Sequence, residues 1–250
     1  MVLRYDDLLT GDDITLTGVG HFRSPKMREM FPTTGIGWLR YETYLQLLRG
    51  SKEEICKLFG IAGTDADLFD MILYSDLGEA YAEALSFFMR ETVERDPEGG
   101  CFRVLTPLAP SGTAPQYRTE GRIDRDNLDD VRYCILRMNY VQIERSDVHT
   151  SFASSEAEAA WNRIQRYQAM QEQHRSDGQS LSLGNMISKL CAIHPSINYF
   201  NVFDLTVFQF YDAFFQSAYL RSIAFSEAIV STHGSEKFKY EDWMNPIQNS

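Results

Sequence analysis

The sequence predicts a mainly α-helical protein with a small N-terminal β-hairpin and room for a second short strand pair. Most of the local signals indicate helices. Ahead of several apolar runs, a Ser or Thr stands three residues before a Glu or Gln, and this spacing is the capping box that marks the start of a helix. Apolar residues in those runs recur at helical spacing. Strand-like alternation is confined to a few short stretches. The capping pairs are Ser51 with Glu54, Ser155 with Glu158, and Thr206 with Gln209.

The first hundred residues predict one hairpin followed by helices. Residues 13–22 alternate weakly and contain Gly18 and Gly20, which suit a hairpin turn or a bulge. Ser24 is a natural N-cap and Pro25 fits the first position of the helix after it. Apolar spacing then predicts helices over 38–48, 52–60, 65–74 and 77–94, the last ended by the Pro and Gly residues of 96–100.

The middle of the chain is less regular. Residues 101–105 are strand-like, 107–115 hold three prolines, and 116–123 are a candidate partner strand. Further helices are predicted after an Asp124 or Asp126 cap, over a polar stretch from 155 to 174, and over 183–192. We therefore divide the chain into three regions, 1–100, 101–181 and 182–250. The alternative is one compact domain overall.

The most informative segment is the aromatic helix that begins after Thr206. Its apolar arc is wider than that of an ordinary surface helix. Two interpretations therefore stay open: a helix buried in the core of its own chain, or a helix with part of this arc covered by a partner. Helical phase predicts an inner side and an outer side. Phe208, Tyr211, Phe215 and Ile229 are expected to face inward, and Phe210, Phe214 and Tyr219 are the candidate protein-binding residues.

A short tail at residues 237–244 follows this helix and carries Trp243. The three aromatic residues of this polar tail are expected to pack against another surface, because terminal segments stay ordered only when contacts hold them. Trp243 either packs on the body of its own chain or anchors in a neighbouring subunit as a fourth protein-binding residue.

Composition and the placement of charged residues argue against several functional classes. The 250 residues carry a formal net charge of −11, which disfavours nucleic-acid binding because phosphates require a basic face. Asp212 and Arg221 lie inside the aromatic helix and argue against a membrane span. The acidic N-terminus lacks the apolar run of a signal peptide, and four widely spaced cysteines fit free thiols in a reducing cytoplasm.

No local motif indicates catalysis, a cofactor or a metal. The acidic stretch that begins at Asp124 fails the calcium-loop pattern, with Asp129 at the glycine position and Ile135 at the final ligand position. Cys191 and His194 are three residues apart, but thiol catalysis needs a third, orienting group. We therefore expect no enzyme, no catalytic residues, no cofactor and no metal site. An enzyme whose site is assembled from distant residues stays as an alternative.

Both ends of the chain resemble proteins of tailed bacteriophage and prophage tail modules. The N-terminal match is Gly-Val-Gly-His-Phe-Arg-Ser-Pro-Lys-Met-Arg-Glu-Met at 18–30, followed by the Tyr-rich helix at 38–48. The C-terminal match is Leu-Thr-Val-Phe-Gln-Phe-Tyr-Asp at 205–212, followed by a long helix and Tyr-Glu-Asp-Trp-Met at 240–244. Similar endings occur in tail assembly chaperones of long-tailed phages. The middle, 101–181, carries no such resemblance.

The resemblance implies a protein without catalytic residues that works in the host cytoplasm. It implies binding to apolar helices of the tape measure protein, help in gathering tail tube proteins, and self-association. A structural subunit of a phage-like tail, connector or baseplate is the alternative.

Overall fold

The computed structural model describes residues 3–59, 66–108, 117–141 and 182–233. They divide into two compact units. The N-terminal unit contains the described residues up to 141 together with 203–213, and the C-terminal unit contains 182–202 and 214–233. The sequence-predicted helix at 155–174 and the tail at 237–244 lie outside the described residues.

The described residues form helices and two antiparallel sheets. In the N-terminal unit the order is α1 Tyr5–Leu9, β1 Ile14–Leu16, β2 Gly20–Phe22, a 3-10 helix Met27–Met30, α2 Trp38–Arg49, α3 Lys52–Phe59, α4 Leu68–Tyr74, α5 Leu77–Phe88, β3 Thr92–Asp96, β4 Cys101–Pro107, β5 Tyr117–Ile123 and α6 Leu128–Met138. There follow α7 Leu183–Ile193, a 3-10 helix Val202–Asp204 and α8 Val207–His233, which starts in the N-terminal unit.

The prediction of a mainly α fold is wrong, because the structure is mixed α and β. A three-stranded sheet in the order β3-β4-β5 accompanies the hairpin. The main error is β3, whose first three residues fall inside the helix predicted over 77–94. That helix ends at Phe88, and Asp96 pairs with Cys101 around a turn. The Pro-Gly stretch at 96–100 therefore closes a hairpin, and the β-branched Thr92 and Val93 belong to a strand.

The N-terminal hairpin is present where it was predicted, with Ile14 opposite Phe22. It is seated on the rest of the unit by backbone hydrogen bonds. The Arg90 amide donates to the His21 carbonyl at 2.9 Å, and the Arg122 amide donates to the Gly18 carbonyl at 3.1 Å. The second bond brings the hairpin turn directly onto β5.

The helix predicted to open at Ser24 and Pro25 does not begin there. The chain runs on until a 3-10 helix at Met27–Met30. Lys26 forms an antiparallel bridge with Thr206, and the Pro25 carbonyl accepts the Val207 amide at 2.9 Å. Pairing with a distant segment fixes this stretch as extended chain, so tertiary contact overrides the local capping signal.

The core of the N-terminal unit lies between the three-stranded sheet and its helices. α5 packs against β3, α4 and α2, and α2 also packs against α6. Phe102 of β4 is fully buried and meets Tyr81 of α5 and Phe69 of α4, with ring centroids 6.0 and 6.2 Å away. Such aromatic pairs add packing energy beyond the area that they bury.

The end of α2 is closed by a side chain from α6. Arg132 donates from Nε to the Leu48 carbonyl at 2.7 Å, and from Nη2 to the carbonyls of Arg49 and Gly50 at 3.2 and 2.9 Å. The last carbonyls of a helix have no partner within it, and the helix dipole favours a cation there. Arg132 therefore joins α6 to α2.

No helix among the described residues is long and apolar enough to cross a membrane.

Because the hairpin packs on β5, replacing glycine by alanine should have opposite effects on the free energy of unfolding at Gly121 and Gly184. A Cβ on Gly121 would lie 2.4 Å from the Val19 carbonyl oxygen and 2.5 Å from the Gly18 carbonyl oxygen, whereas a Cβ on Gly184 in α7 would meet nothing within 4 Å. Gly121→Ala should lower the free energy of unfolding by about 1–3 kcal/mol. Gly184→Ala should raise it by about 0.5–1 kcal/mol. Urea denaturation followed by circular dichroism measures both, and equal effects would contradict the docked hairpin.

Candidate interaction surface

The aromatic helix α8 begins at the predicted capping box. The Gln209 amide donates to Thr206 Oγ1 at 3.2 Å, and the Thr206 amide donates to Gln209 Oε1 at 3.0 Å. Gln209 Nε2 also donates to the Leu9 carbonyl at 2.8 Å, which ties the helix start to the end of α1. This cap was predicted from sequence and is confirmed.

The first turns of α8 are buried over a wide arc of the helix. Val207 and Phe210 have no exposed surface, and Phe208 and Asp212 are also buried. At about 100° per residue these four positions span an arc of roughly 200°, which is wider than the apolar stripe of an ordinary surface helix. The sequence-based division into an inner and an outer face is therefore wrong at Phe210, which lies in the core. The division failed because the N-terminal unit covers a wide arc of this stretch instead of one narrow stripe.

A cluster of aromatic side chains, which we call the anchor cluster, surrounds this start. Its rings belong to Tyr5, Tyr140, Phe208 and Tyr211. Tyr140 stacks on Tyr211 with centroids 5.9 Å apart, and it lies 5.2 Å from Phe208. Tyr140 holds a positive φ of 62°, a conformation uncommon outside glycine, asparagine and aspartate. Its backbone is thus held by the surrounding packing.

The anchor cluster also contains one buried carboxylate. Tyr5 donates its hydroxyl to Asp212 Oδ1 at 2.7 Å, and the Tyr5 ring meets Phe208 edge-on at 6.0 Å. A carboxylate taken out of water must be hydrogen-bonded to be tolerated. Asp212, which argued against a membrane span, is in fact part of the attachment of α8.

Beyond residue 213 the helix belongs to the C-terminal unit and is less covered. Phe214, Phe215 and Tyr219 are half-buried, Leu220 is 50% exposed and Arg221 is exposed. The Phe214 and Phe215 rings meet edge-on at 5.6 Å. The candidate residues Phe214 and Tyr219 thus keep part of their surface accessible. The side chain of Ile229 and the whole of Trp243 lie outside the described residues.

Sequence reasoning missed a second apolar feature of the C-terminal unit. Between α7 and the 3-10 helix at Val202–Asp204, residues 194–201 form a loop in which Phe200 is 95% exposed and Tyr199 is 59% exposed. We call this the Phe200 loop. The available signal was the adjacent Tyr-Phe pair between asparagines, Asn198 and Asn201, which favour turns.

Side chains of the Phe200 loop hold its own backbone. His194 Nδ1 accepts the amides of Ser196 and Ile197 at 3.2 and 3.0 Å. Asn198 Oδ1 accepts the Phe200 amide at 2.9 Å, and Asn201 Oδ1 accepts the Asn198 amide at 2.8 Å.

The Tyr199 hydroxyl lies 3.0 Å from Ser188 Oγ on α7. The loop is therefore pinned to the preceding helix as well as folded on itself.

The Cys191–His194 pair is not arranged as a thiol nucleophile and its base. His194 uses Nδ1 for the loop, and burial raises the pKa of the Cys191 thiol, which opposes formation of the thiolate. All four cysteines are free, with Cys101 and Cys134 buried. Burial also raises the pKa of Cys101.

The acidic stretch after β5 serves the backbone and neighbouring arginines. Asp124 Oδ1 accepts the Asp126 amide at 3.1 Å, and its Oδ2 lies 2.9 Å from Arg122 Nε. Asp129 pairs with Arg132 at 3.1 Å. Across the described residues, no group of three His, Cys, Asp or Glu side chains is placed to hold a metal ion.

One histidine–carboxylate pair has an arrangement that could carry proton transfer. His21 Nδ1 lies 2.5 Å from Glu91 Oε1, and the His21 amide donates to Glu91 Oε2 at 3.1 Å. Glu91 is almost fully buried while His21 is half exposed. The pair spans β2 and the chain before β3, so it also fastens the hairpin.

Comparison with family models gives a match in the C-terminal part of the chain. The family model described as the YomV second domain matches residues 161–248. This is a phage-derived family, and the match points to a phage origin for the chain. It includes the Phe200 loop and all of α8. Neither the curated proteins nor the solved structures contain a match to the chain.

Burial of the first turns of α8 predicts the effect of three truncations. Phe208→Ala and Phe210→Ala should each lower the free energy of unfolding by about 3–5 kcal/mol, because each leaves a cavity in the core. Leu220→Ala, on the exposed part of the same helix, should change it by less than about 0.5 kcal/mol. Chemical denaturation measures all three. A small effect of Phe210→Ala on the free energy of unfolding would contradict the burial of Phe210.

The Tyr5–Asp212 hydrogen bond predicts a coupling that a double-mutant cycle can measure. Tyr5→Phe removes the hydroxyl donor but keeps the ring against Phe208, so it should cost about 1–3 kcal/mol of unfolding free energy. Once Asp212→Asn is present, Tyr5→Phe should cost less, because the bond to the charged group is already lost. Strictly additive effects would show that the bond contributes nothing.

Proposed function

We propose that this chain is a non-enzymatic assembly chaperone of a phage tail module, which binds apolar helical segments of the tape measure protein. One observation carries the proposal: within the stretch matched by a phage-derived family, the chain exposes Phe200, Tyr199 and Leu220. A protein that keeps apolar helices dispersed needs apolar contact surface of this kind.

The charge of the chain supports the same proposal. A net charge of −11 favours solubility and helps to keep a complex with an apolar client dispersed. The anchor cluster adds a fixed base for α8: the helix begins in the core of the N-terminal unit, while Leu220 and its neighbours stay accessible. A fixed helix spends less conformational entropy on binding than a free one.

In this proposal the chain acts in the host cytoplasm, assists the gathering of tail tube proteins, and self-associates while it works. No catalytic residue, cofactor or metal takes part. Binding occurs between proteins, without nucleic acid or membrane.

Co-expression tests the proposal. The chain should be produced with the tape measure protein of its own tail module, and it should raise the soluble fraction of that protein and co-purify with it. Finished tails isolated from the same phage should lack the chain by mass spectrometry. Stoichiometric retention of the chain in tails would instead establish a structural tail, connector or baseplate subunit.

A matched pair of leucine variants locates the client surface. Leu220→Lys should reduce co-purification of the tape measure protein about tenfold or more, because a charge then faces the apolar client. Leu39→Lys makes the same change on α2 of the N-terminal unit, where Leu39 is 79% exposed. This control should leave co-purification unchanged. An equal loss in both variants would contradict a role for α8.

A further inference from the structure

The Phe200 loop presents a large aromatic side chain to solvent on a fixed backbone. Its folded form is maintained by the acceptors His194 Nδ1, Asn198 Oδ1 and Asn201 Oδ1, and Asn201 Nδ2 donates to the Ser196 carbonyl at 2.9 Å. Phe200 gains almost nothing from this fold, since 95% of its surface stays in water. Burying a phenylalanine side chain is favourable, and Phe200 can still gain that stabilisation from a partner.

We propose that the Phe200 loop is a docking site for an uncharged, apolar segment of another polypeptide, in which Phe200 is the anchor that the partner buries. This inference rests on the proposed function and assigns a particular loop to client binding.

Charge defines the chemistry of the occupant. Among residues 182–202, Lys189 is the single lysine, arginine, aspartate or glutamate, although these make up 24% of the whole chain. The loop itself offers Asn, Ser, Tyr and Phe side chains. A charged partner group brought against it would lose water and find no countercharge, which is costly. The segment that fits is therefore apolar and uncharged.

The size of the surface argues for a transient partner over a stable dimer of this chain. Phe200 and Tyr199 are the large apolar side chains of the loop that stand exposed, and an aromatic side chain buries about 150–250 Å². Two such residues from each of two copies fall well short of the roughly 1,200–2,000 Å² of a stable interface. A longer apolar client can surround Phe200 more fully than a second copy can.

Four variants, two of them controls, separate the anchor from the loop that carries it. Phe200→Ala removes the anchor and none of the loop's side-chain hydrogen bonds. His194→Ala removes the acceptor of the Ser196 and Ile197 amides and loosens the loop. His194→Asn is the matched control, because asparagine Oδ1 can accept the same amides. Tyr117→Ala, at a 47% exposed tyrosine on β5, controls for loss of an exposed aromatic.

The probe is a fluorescent 20-residue helical peptide of Leu and Ala with one Lys at each end, and a second peptide in which Glu replaces half of the Leu. Fluorescence anisotropy with the full chain should show binding of the apolar peptide and at least about tenfold weaker binding of the Glu peptide. Phe200→Ala should weaken apolar-peptide binding about tenfold or more, and His194→Ala should weaken it less. His194→Asn and Tyr117→Ala should match the unchanged chain.

Equal binding by Phe200→Ala and the unchanged chain would overturn the proposal. So would sedimentation showing that Phe200→Ala abolishes an oligomer while peptide binding persists, because the occupant would then be a second copy. The proposed function fails separately: if the unchanged chain binds the peptide through Phe200 but never co-purifies with the tape measure protein, the docking site stands and the client is another polypeptide.

Discussion

The structure depends on the return of the chain to its N-terminal unit at residues 203–213. Backbone bonds join this segment to the chain that follows the hairpin: the Met27 amide donates to the Leu205 carbonyl at 2.9 Å, next to the bridge between Lys26 and Thr206. Arg28 pairs with Asp204, and the Phe31 ring meets the Phe203 ring edge-on at 5.5 Å. The start of α8 then fills the core with Val207, Phe208 and Phe210.

This return explains why one aromatic-rich helix has two different characters. Its first turns are covered over a wide arc by the N-terminal unit, and their aromatic side chains pack in the anchor cluster. Its later turns, from Phe214 onward, lie in the other unit and keep accessible apolar surface. The Phe200 loop immediately precedes the returning segment in sequence. The buried start of α8 and the exposed apolar side chains thus occupy neighbouring stretches of the region from α7 onward, most of which the phage-derived family model matches.

Local signals predicted the parts of the fold that local chemistry decides. The Thr206–Gln209 capping box and the hairpin around Gly18 depend on contacts a few residues apart, so they were readable from sequence. β3 was missed because Thr92 and Val93 follow an apolar helical run without a break, and pairing with β4 decides their conformation. Ser24 and Pro25 carried a helix signal, but Thr206 and Val207, about 180 residues later, hold the adjoining chain extended.

The candidate site shows the same limit. Aromatic density identified α8 as important, but helical phase alone could not show that Phe210 is enclosed, because enclosure comes from elements distant in sequence. Phe200 was overlooked because it lies outside any periodic pattern. Its exposure follows from the asparagine and histidine contacts that shape the loop, and these become visible only in three dimensions.

Hydrogen exchange of the full chain, alone and with the co-expressed tape measure protein, tests whether α8 has a buried start and a later binding surface. Amides of residues 207–213 should be strongly protected in both states, because they belong to the core. Amides of the Phe200 loop and of α8 around Leu220 should gain protection only in the complex. Rapid exchange at 207–213 in the free chain, or a complex that leaves the loop and the later turns of α8 unchanged, would contradict the division of this region into anchor and binding surface.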